Sequence, residues 1–165
     1  MDAARIIRHL CAEGSGRRQF PSRVLDAIQH AVASGERTHQ GQVCFAIEGA
    51  LPLGELWRDC TPRERATQLF AHLRVWDTEH NSGVLIYLLL ADRAIEIVAD
   101  RGIAARVDQA AWAGICAQMR ERLVARDYER GAVEGVGAVA ALLAEHFPAQ
   151  GGPSNNELPD RPILI

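Results

Sequence analysis

The sequence predicts an α/β fold, specifically a three-layer α/β/α sandwich around a small mixed sheet. Residues 43–47 are apolar at five consecutive positions, so both faces of a strand over 42–48 need a covering layer of helices. Residues 83–90 and 94–99 are two more apolar runs. The three residues between them are too few for a crossover, which predicts an antiparallel hairpin. A helix between the first two strands makes them a right-handed, parallel βαβ unit.

Two helices are predicted before the first strand. Residues 2–11 favour a short helix, and a flexible break follows at 13–16. Ser22 caps a second helix from Arg23 to about His39, because its apolar residues recur at helical spacing. These apolar residues are Val24, Leu25, Ile28 and Val32.

Three helices are predicted later in the chain. Thr61, Pro62 and Glu64 combine a threonine cap, a proline at the first helical position and a glutamate that closes a capping box. Asp108 caps the next helix, and a last helix covers about 130–146. The predicted order is α-α-β-α-β-β-α-α.

The chain length suits one domain with short flanking segments. We divide it into an N-terminal helix and flexible segment (1–19), the α/β/α domain (20–148) and an extended C-terminal tail (149–165). The last residues of the tail, 158–165, are apolar enough to dock on a surface.

The composition excludes several classes of function. The chain contains no lysine, so Schiff-base enzymes and P-loop nucleotide-binding proteins are excluded. The net charge of −3 argues against a nucleic-acid partner. Arginines crowd the N-terminus, a pattern typical of a solvated face. These arginines are Arg5, Arg8, Arg17, Arg18 and Arg23.

The remaining composition indicates an ordinary soluble protein. Four separated cysteines without a CxxC pair are typical of reduced thiols. Trp57, Trp76 and Trp112 are expected in the core or at its edge. The longest apolar run, 83–91, is about half of what a membrane helix needs, and charges interrupt the N-terminus. We therefore expect a cytoplasmic protein without direct membrane insertion.

The hairpin predicts a cluster of acidic residues at one end of the sheet. If Leu90 pairs with Arg93, then Gly83 lies opposite Asp100. The loop that carries Asp77, Glu79, His80 and Asn81 then lies at the same end as Asp100. The first strand is parallel to the second, so its start lies there too, together with Glu36 and His39 of the preceding helix.

These side chains predict a divalent-metal site formed by Asp77, Glu79, Asn81, Asp100, Glu36 and His39. Carboxylate and amide oxygens suit calcium or magnesium. A histidine ligand, His39 or His80, would favour zinc, manganese or iron instead. The competing interpretation is a solvated acidic loop that Arg74 or Arg101 neutralises.

The chain also resembles a known family, the TPM domain proteins of the thylakoid lumen and of bacteria. The segments 81–86 (NSGVLI), 92–93 (DR), 100–102 (DRG) and 38–43 (THQGQV) look like that family's D-N-G-V-L-L strand start, D-R turn, G-x-G strand exit and T-x-G-x-Q-I junction. The resemblance implies an α/β/α sandwich, acid-phosphatase activity and calcium binding. The chain departs from the pattern at Asn81 and at Asp100.

Two functions follow as expectations. The first is a cytoplasmic adaptor or accessory protein that binds a membrane-anchored TPM-domain relative or another protein, with a metal only as a structural clip. The alternative is a metal-dependent, acid-phosphatase-like hydrolase of phosphate monoesters. There, Asp100 or Glu79 would orient water and Arg101 or Arg74 would hold the phosphate.

Overall fold

A computed structural model describes residues 2–150 and 156–165. Within these ranges the chain forms eight helices and four strands. In chain order they are α1 (Ala3–Ala12), α2 (Ser15–Gln19), α3 (Ser22–Glu36), β1 (Gln42–Glu48), α4 (Leu53–Trp57), α5 (Pro62–His72), β2 (Gly83–Leu89), β3 (Ala94–Ala99), α6 (Arg101–Ala104), α7 (Gln109–Val124), α8 (Tyr128–His146) and β4 (Ile163–Leu164).

The four strands form one mixed sheet in the order β3-β2-β1-β4. β1 and β2 are parallel, as expected for a βαβ unit. β2 and β3 are antiparallel, and Leu89 pairs with Ala94. The predicted register is confirmed, because the backbone N–H of Asp100 donates to the carbonyl oxygen of Gly83 over 2.9 Å.

The sheet has an apolar layer on each face, which confirms the three-layer sandwich. Alternate residues of each strand point to opposite faces. One face packs against α3, α7 and α8 through Val43, Phe45, Ile47, Val84, Ile86 and Leu88. The other face packs against α4 and α5 through Cys44, Ala46, Leu85, Tyr87 and Leu89. Burial on this second face raises the pKa of the Cys44 thiol to about 12, so this cysteine stays a neutral core residue.

The end of the chain adds a fourth strand that the sequence did not predict. Ile163 pairs with Ala46 and Leu164 with Ile47, both in parallel orientation. Leu158 is buried on the same face of the sheet as α5. The tail therefore covers the edge of β1 and completes the sheet. The part of the predicted extended tail at 151–155 lies outside the described residues.

Most predicted helix starts are correct. Thr61 and Glu64 form the expected capping box, and Asp108 caps α7. The prediction for α3 needs correction. Pro21, not Ser22, occupies its cap, and the helix ends at Glu36 instead of near His39. After Glu36 the backbone N–H and the hydroxyl of Thr38 both donate to the carbonyl oxygen of Gly35, so a tight turn replaces the helical hydrogen bonding.

The tryptophan predictions are correct only in part. Trp112 is buried under the sheet. The prediction that Trp57 lies in or beside the core is wrong, since 68% of this residue on α4 is exposed. Trp76 is also exposed. No helix in the described ranges combines the length and the apolar character needed to cross a bilayer.

A buried ion pair attaches α5 to the sheet. Glu48, at the carboxyl end of β1, accepts two hydrogen bonds from Arg65 at 2.7 and 3.0 Å. The hydroxyl of Tyr87 donates to the same carboxylate over 2.6 Å. Both oxygens of a fully buried carboxylate are therefore satisfied, as burial of a charge requires.

The glycine that starts β2 should be intolerant of a side chain. A Cβ at Gly83 would collide with the backbone carbonyl of Val75, whereas a Cβ at Gly137 in α8 would meet nothing within 4 Å. We expect Gly83→Ala to lower the free energy of unfolding by about 2 kcal/mol or more. Gly137→Ala, the control, should be neutral or stabilising by up to about 1 kcal/mol. Urea unfolding of both variants measures this, and equal effects would contradict the close approach at Gly83.

Candidate functional site

The fold brings the loop before β2 next to the exit of β3, as the register predicted. A Cβ at Gly102 would lie 2.6 Å from the carbonyl oxygen of Asn81, so the loop backbone rests directly on the start of α6. The Arg101 Nε donates to the side-chain oxygen of Asn81 over 3.1 Å. Asn81 itself has a left-handed backbone with φ of 50°, which asparagine tolerates well. Asn81, Asp100 and Arg101 are therefore neighbours.

Asp100 lies at the centre of this junction and is 9% exposed. Its Oδ1 accepts a hydrogen bond from the backbone N–H of Arg101 over 2.7 Å and so caps α6. Its Oδ2 is buried without a hydrogen-bond partner in the described part of the chain. A buried carboxylate oxygen without a hydrogen-bond partner is costly, so the helix cap accounts for Oδ1 but not for the burial of Oδ2.

Asp77 and Glu79 do not join Asp100. The Asp77 carboxylate faces Arg74 at 4.0 Å, and both side chains are largely exposed. The exposed Glu79 contributes its backbone N–H, which donates to the Glu157 carboxylate over 2.9 Å. Within residues 2–150 and 156–165, no hydrogen bond or ion pair links Asp77 or Glu79 to Asp100. This half of the loop corresponds to the solvated acidic loop of the competing interpretation.

Glu36 and His39 are buried at the start of β1, 6% and 1% exposed. The Glu36 Oε1 accepts the backbone N–H of Val43 over 2.8 Å. Burial nevertheless raises the pKa of Glu36 to about 7. His39 Nδ1 lies 3.0 Å from the carbonyl oxygen of Gly41, so a neutral ring that carries its proton on Nδ1 satisfies this contact.

Burial also lowers the pKa of His39, which is consistent with the neutral ring. Its Nε2 has no partner among the described residues. Glu36 and His39 therefore act mainly in the junction between α3 and β1.

The predicted metal ligands do not gather around one point. Across the described ranges, no group of three or more histidine, cysteine, aspartate or glutamate residues is close enough to hold a cation. Asp77 and Glu79 point to solvent, Glu36 binds the β1 backbone, and Asp100 caps a helix. In this arrangement the residues do not fit the calcium ion that the family resemblance implies.

The sequence reasoning missed an ionic cluster at the other end of the hairpin. Asp92, expected only to form the turn, accepts hydrogen bonds from Arg5 at 2.8 and 3.0 Å. The buried His9 lies 3.0 Å from the same carboxylate through Nε2, and its Nδ1 accepts the backbone N–H of Leu51. The two contacts indicate a neutral ring with the proton on Nε2. Burial alone would raise the pKa of Asp92, but the contacts with Arg5 and His9 together lower it below its usual range.

The partners of Asp92 come from α1, 83 and 87 positions away in the chain. The D-R turn motif was the only local sign that this aspartate matters, because such long-range pairing leaves no spacing pattern. Asp92 therefore attaches the N-terminal helix to the tip of the hairpin.

Comparison with known proteins agrees with this architecture. A family model described as the TPM domain matches residues 21–142. The NMR structure of the BA42 protein from the psychrophilic bacterium Bizionia argentinensis is similar, with a TM-score of 0.75 and 23% sequence identity. The match covers 87% of this chain and 94% of that one, and it shows a shared fold. No curated protein sequence matches significantly.

The raised pKa of Glu36 makes stability depend on pH. Between pH 4.5 and about 7 the folded protein keeps a proton that the unfolded chain releases, so the native state loses stability as pH rises through this window. Glu36→Gln cannot titrate and keeps an oxygen for the Val43 N–H. We therefore expect the free energy of unfolding of this variant, relative to that of the wild type, to rise by about 1–3 kcal/mol when the pH is raised from about 5 to about 8.

Denaturant unfolding at both pH values measures the difference. The exposed Glu79→Gln serves as the control and should show no such gain. An identical stability difference for Glu36→Gln at both pH values would mean that the Glu36 carboxyl does not titrate in the folded protein in this window.

Proposed function

We propose that this chain, which belongs to the TPM domain family, is a non-enzymatic accessory protein that binds another protein. The observation that carries this proposal is the engagement of the acidic residues in structural contacts. Asp100 caps α6, Glu36 binds the β1 backbone, and Asp77 faces Arg74 in solvent. A fold alone does not supply a reaction, and among the described residues these contacts leave no assembled set of catalytic groups.

The surface around α4 supports a binding role. Leu53 and Trp57 are both largely exposed on this short helix. Tryptophan is enriched among the residues that dominate protein interfaces, and Trp57 is more exposed than Trp76. The apolar C-terminal segment is a weaker candidate for partner binding, since Ile163 and Leu164 already pair with β1. We therefore assign the contact with a membrane-anchored TPM-domain relative, or with another protein, to α4.

The alternative function, a divalent-metal-dependent hydrolase of phosphate monoesters, has one specific observation in its favour. The buried Oδ2 of Asp100 has no partner in the described chain, and Arg101 lies beside it with an exposed side chain. In that function Asp100 or Glu79 would orient water and Arg101 would hold the phosphate. Asp77 and Glu79 would have to turn toward Asp100 to complete a cation site.

Hydrolysis of p-nitrophenyl phosphate separates the two functions. We expect the wild type and Asp100→Asn to show the same background rate with calcium, magnesium, manganese or zinc. Asparagine is an equally good helix cap, so the variant should keep its fold and its melting temperature. Turnover by the wild type that disappears in Asp100→Asn would establish the hydrolase. A saturable rise in melting temperature with one cation that is absent in Asp100→Asn would support the predicted metal site.

The proposed interface is tested with the soluble domain of a membrane-anchored TPM-domain relative. Light scattering of the mixture should show a complex with the wild type and with Trp76→Ala, the matched control. Trp57→Ala should weaken the complex by about 30-fold, because a buried tryptophan anchor contributes about 2 kcal/mol or more. Equal affinities of the two variants would remove α4 from the interface, and no complex with the wild type would exclude this partner.

A further inference from the structure

A cleft lies at the carboxyl end of β2, opposite the acidic end of the sheet. Its volume is about 720 Å³, within the range of small-molecule sites. The end of β2 at 88–90 lines it together with α1, α2, the hairpin turn and the connection from α7 to α8. Leu123, Val124 and Tyr128 contribute an apolar wall. Ligands of α/β proteins commonly bind at this end of parallel strands.

Positive charge dominates the cleft. Five arginines line it, and no aspartate or glutamate does so in the described part of the chain. These arginines are Arg8, Arg18, Arg93, Arg120 and Arg126. Arg8 has a carboxylate partner, Asp92 at 3.5 Å. The guanidinium groups of the other four form no ion pair or hydrogen bond within residues 2–150 and 156–165. Guanidinium groups that converge in one cleft repel each other, and a bound anion would remove that cost.

Two of these arginines occupy backbone positions that favour other residues. Arg93 in the hairpin turn and Arg126 after α7 have φ values of 51° and 62°. Arg126 follows the helix in a Schellman motif, where glycine or asparagine is the usual residue. A side chain such as arginine costs about 1 kcal/mol in this conformation. Both arginines adopt this unfavourable backbone conformation, and both side chains line the same cleft.

We propose that this cleft binds a small molecule that carries at least two phosphate groups and an apolar or aromatic portion, of the size of a nucleoside diphosphate. The planar guanidinium groups suit bidentate contacts with phosphate oxygens, and this chain has no lysine to serve instead. The leucine and tyrosine side chains provide the surface for the apolar portion. The site is separate from the acidic end and does not depend on the accessory function proposed above.

Isothermal titration of the full chain with ADP, inorganic pyrophosphate and adenosine tests the site. We expect saturable binding of ADP, weaker binding of pyrophosphate and none of adenosine, with ADP affinity falling as salt rises. Arg93→Asn/Arg126→Asn should weaken ADP binding at least about tenfold, because charge-assisted hydrogen bonds are lost. Asparagine fits the left-handed backbone, so this variant should melt no lower than the wild type.

A second variant and a matched control complete the design. Arg18→Gln/Arg120→Gln removes two arginines from elsewhere around the cleft and should give a comparable loss. Arg106→Gln/Arg37→Gln removes two exposed arginines at the opposite end. This control should bind ADP within about twofold of the wild type. No saturable binding of ADP or pyrophosphate, adenosine binding as tight as ADP, or equal losses in the control would each overturn the proposal.

Discussion

The antiparallel register of β2 and β3 determines what lies at both ends of this molecule. Because Leu89 pairs with Ala94, Gly83 lies opposite Asp100 at one end, and Asp92 and Arg93 lie in the turn at the other. A slip of one residue would turn every side chain of β3 to the opposite face of the sheet and disrupt the packing of both cores. The same register therefore supports the helical layers, the junction at Asp100 and the arginine-lined cleft.

The parts of the fold that the sequence predicts are those with a strong local signal. β1 is apolar on both faces, and the Thr61–Glu64 capping box and Asp108 each specify a helix start through contacts within one turn. The elements that it misses, α2, α4, α6 and β4, are five residues or fewer. Such short segments show no periodicity, and β4 depends entirely on a partner strand more than a hundred positions away.

The candidate site was predictable only at the level of the backbone. The register correctly brought the loop before β2 next to Asp100, but side-chain directions follow from local competition for hydrogen bonds. The backbone N–H of Val43 donates to the carboxylate of Glu36, and the backbone N–H of Arg101 donates to one oxygen of Asp100. Asp77 and Glu79 remain in solvent, where an ionised carboxylate needs no partner. At the other end, Asp92 pairs with residues of α1, which no spacing in the sequence could indicate.

Comparison of the two ends of the sheet shows why net charge is a poor guide to binding in this protein. A total of −3 argues against anionic ligands, yet this argument applies only to a mixed charge distribution. Here Asp92, in the hairpin turn beside the cleft, is shared among Arg5, Arg8 and His9. The guanidinium groups of Arg93 and Arg126 have no ion-pair partner in the described part of the chain, so positive charge gathers at the carboxyl end of β2. Charges that the fold leaves unpaired, on backbone positions that disfavour their residue type, are better evidence of a ligand than the acidic residues, whose hydrogen bonds lie mainly within the fold.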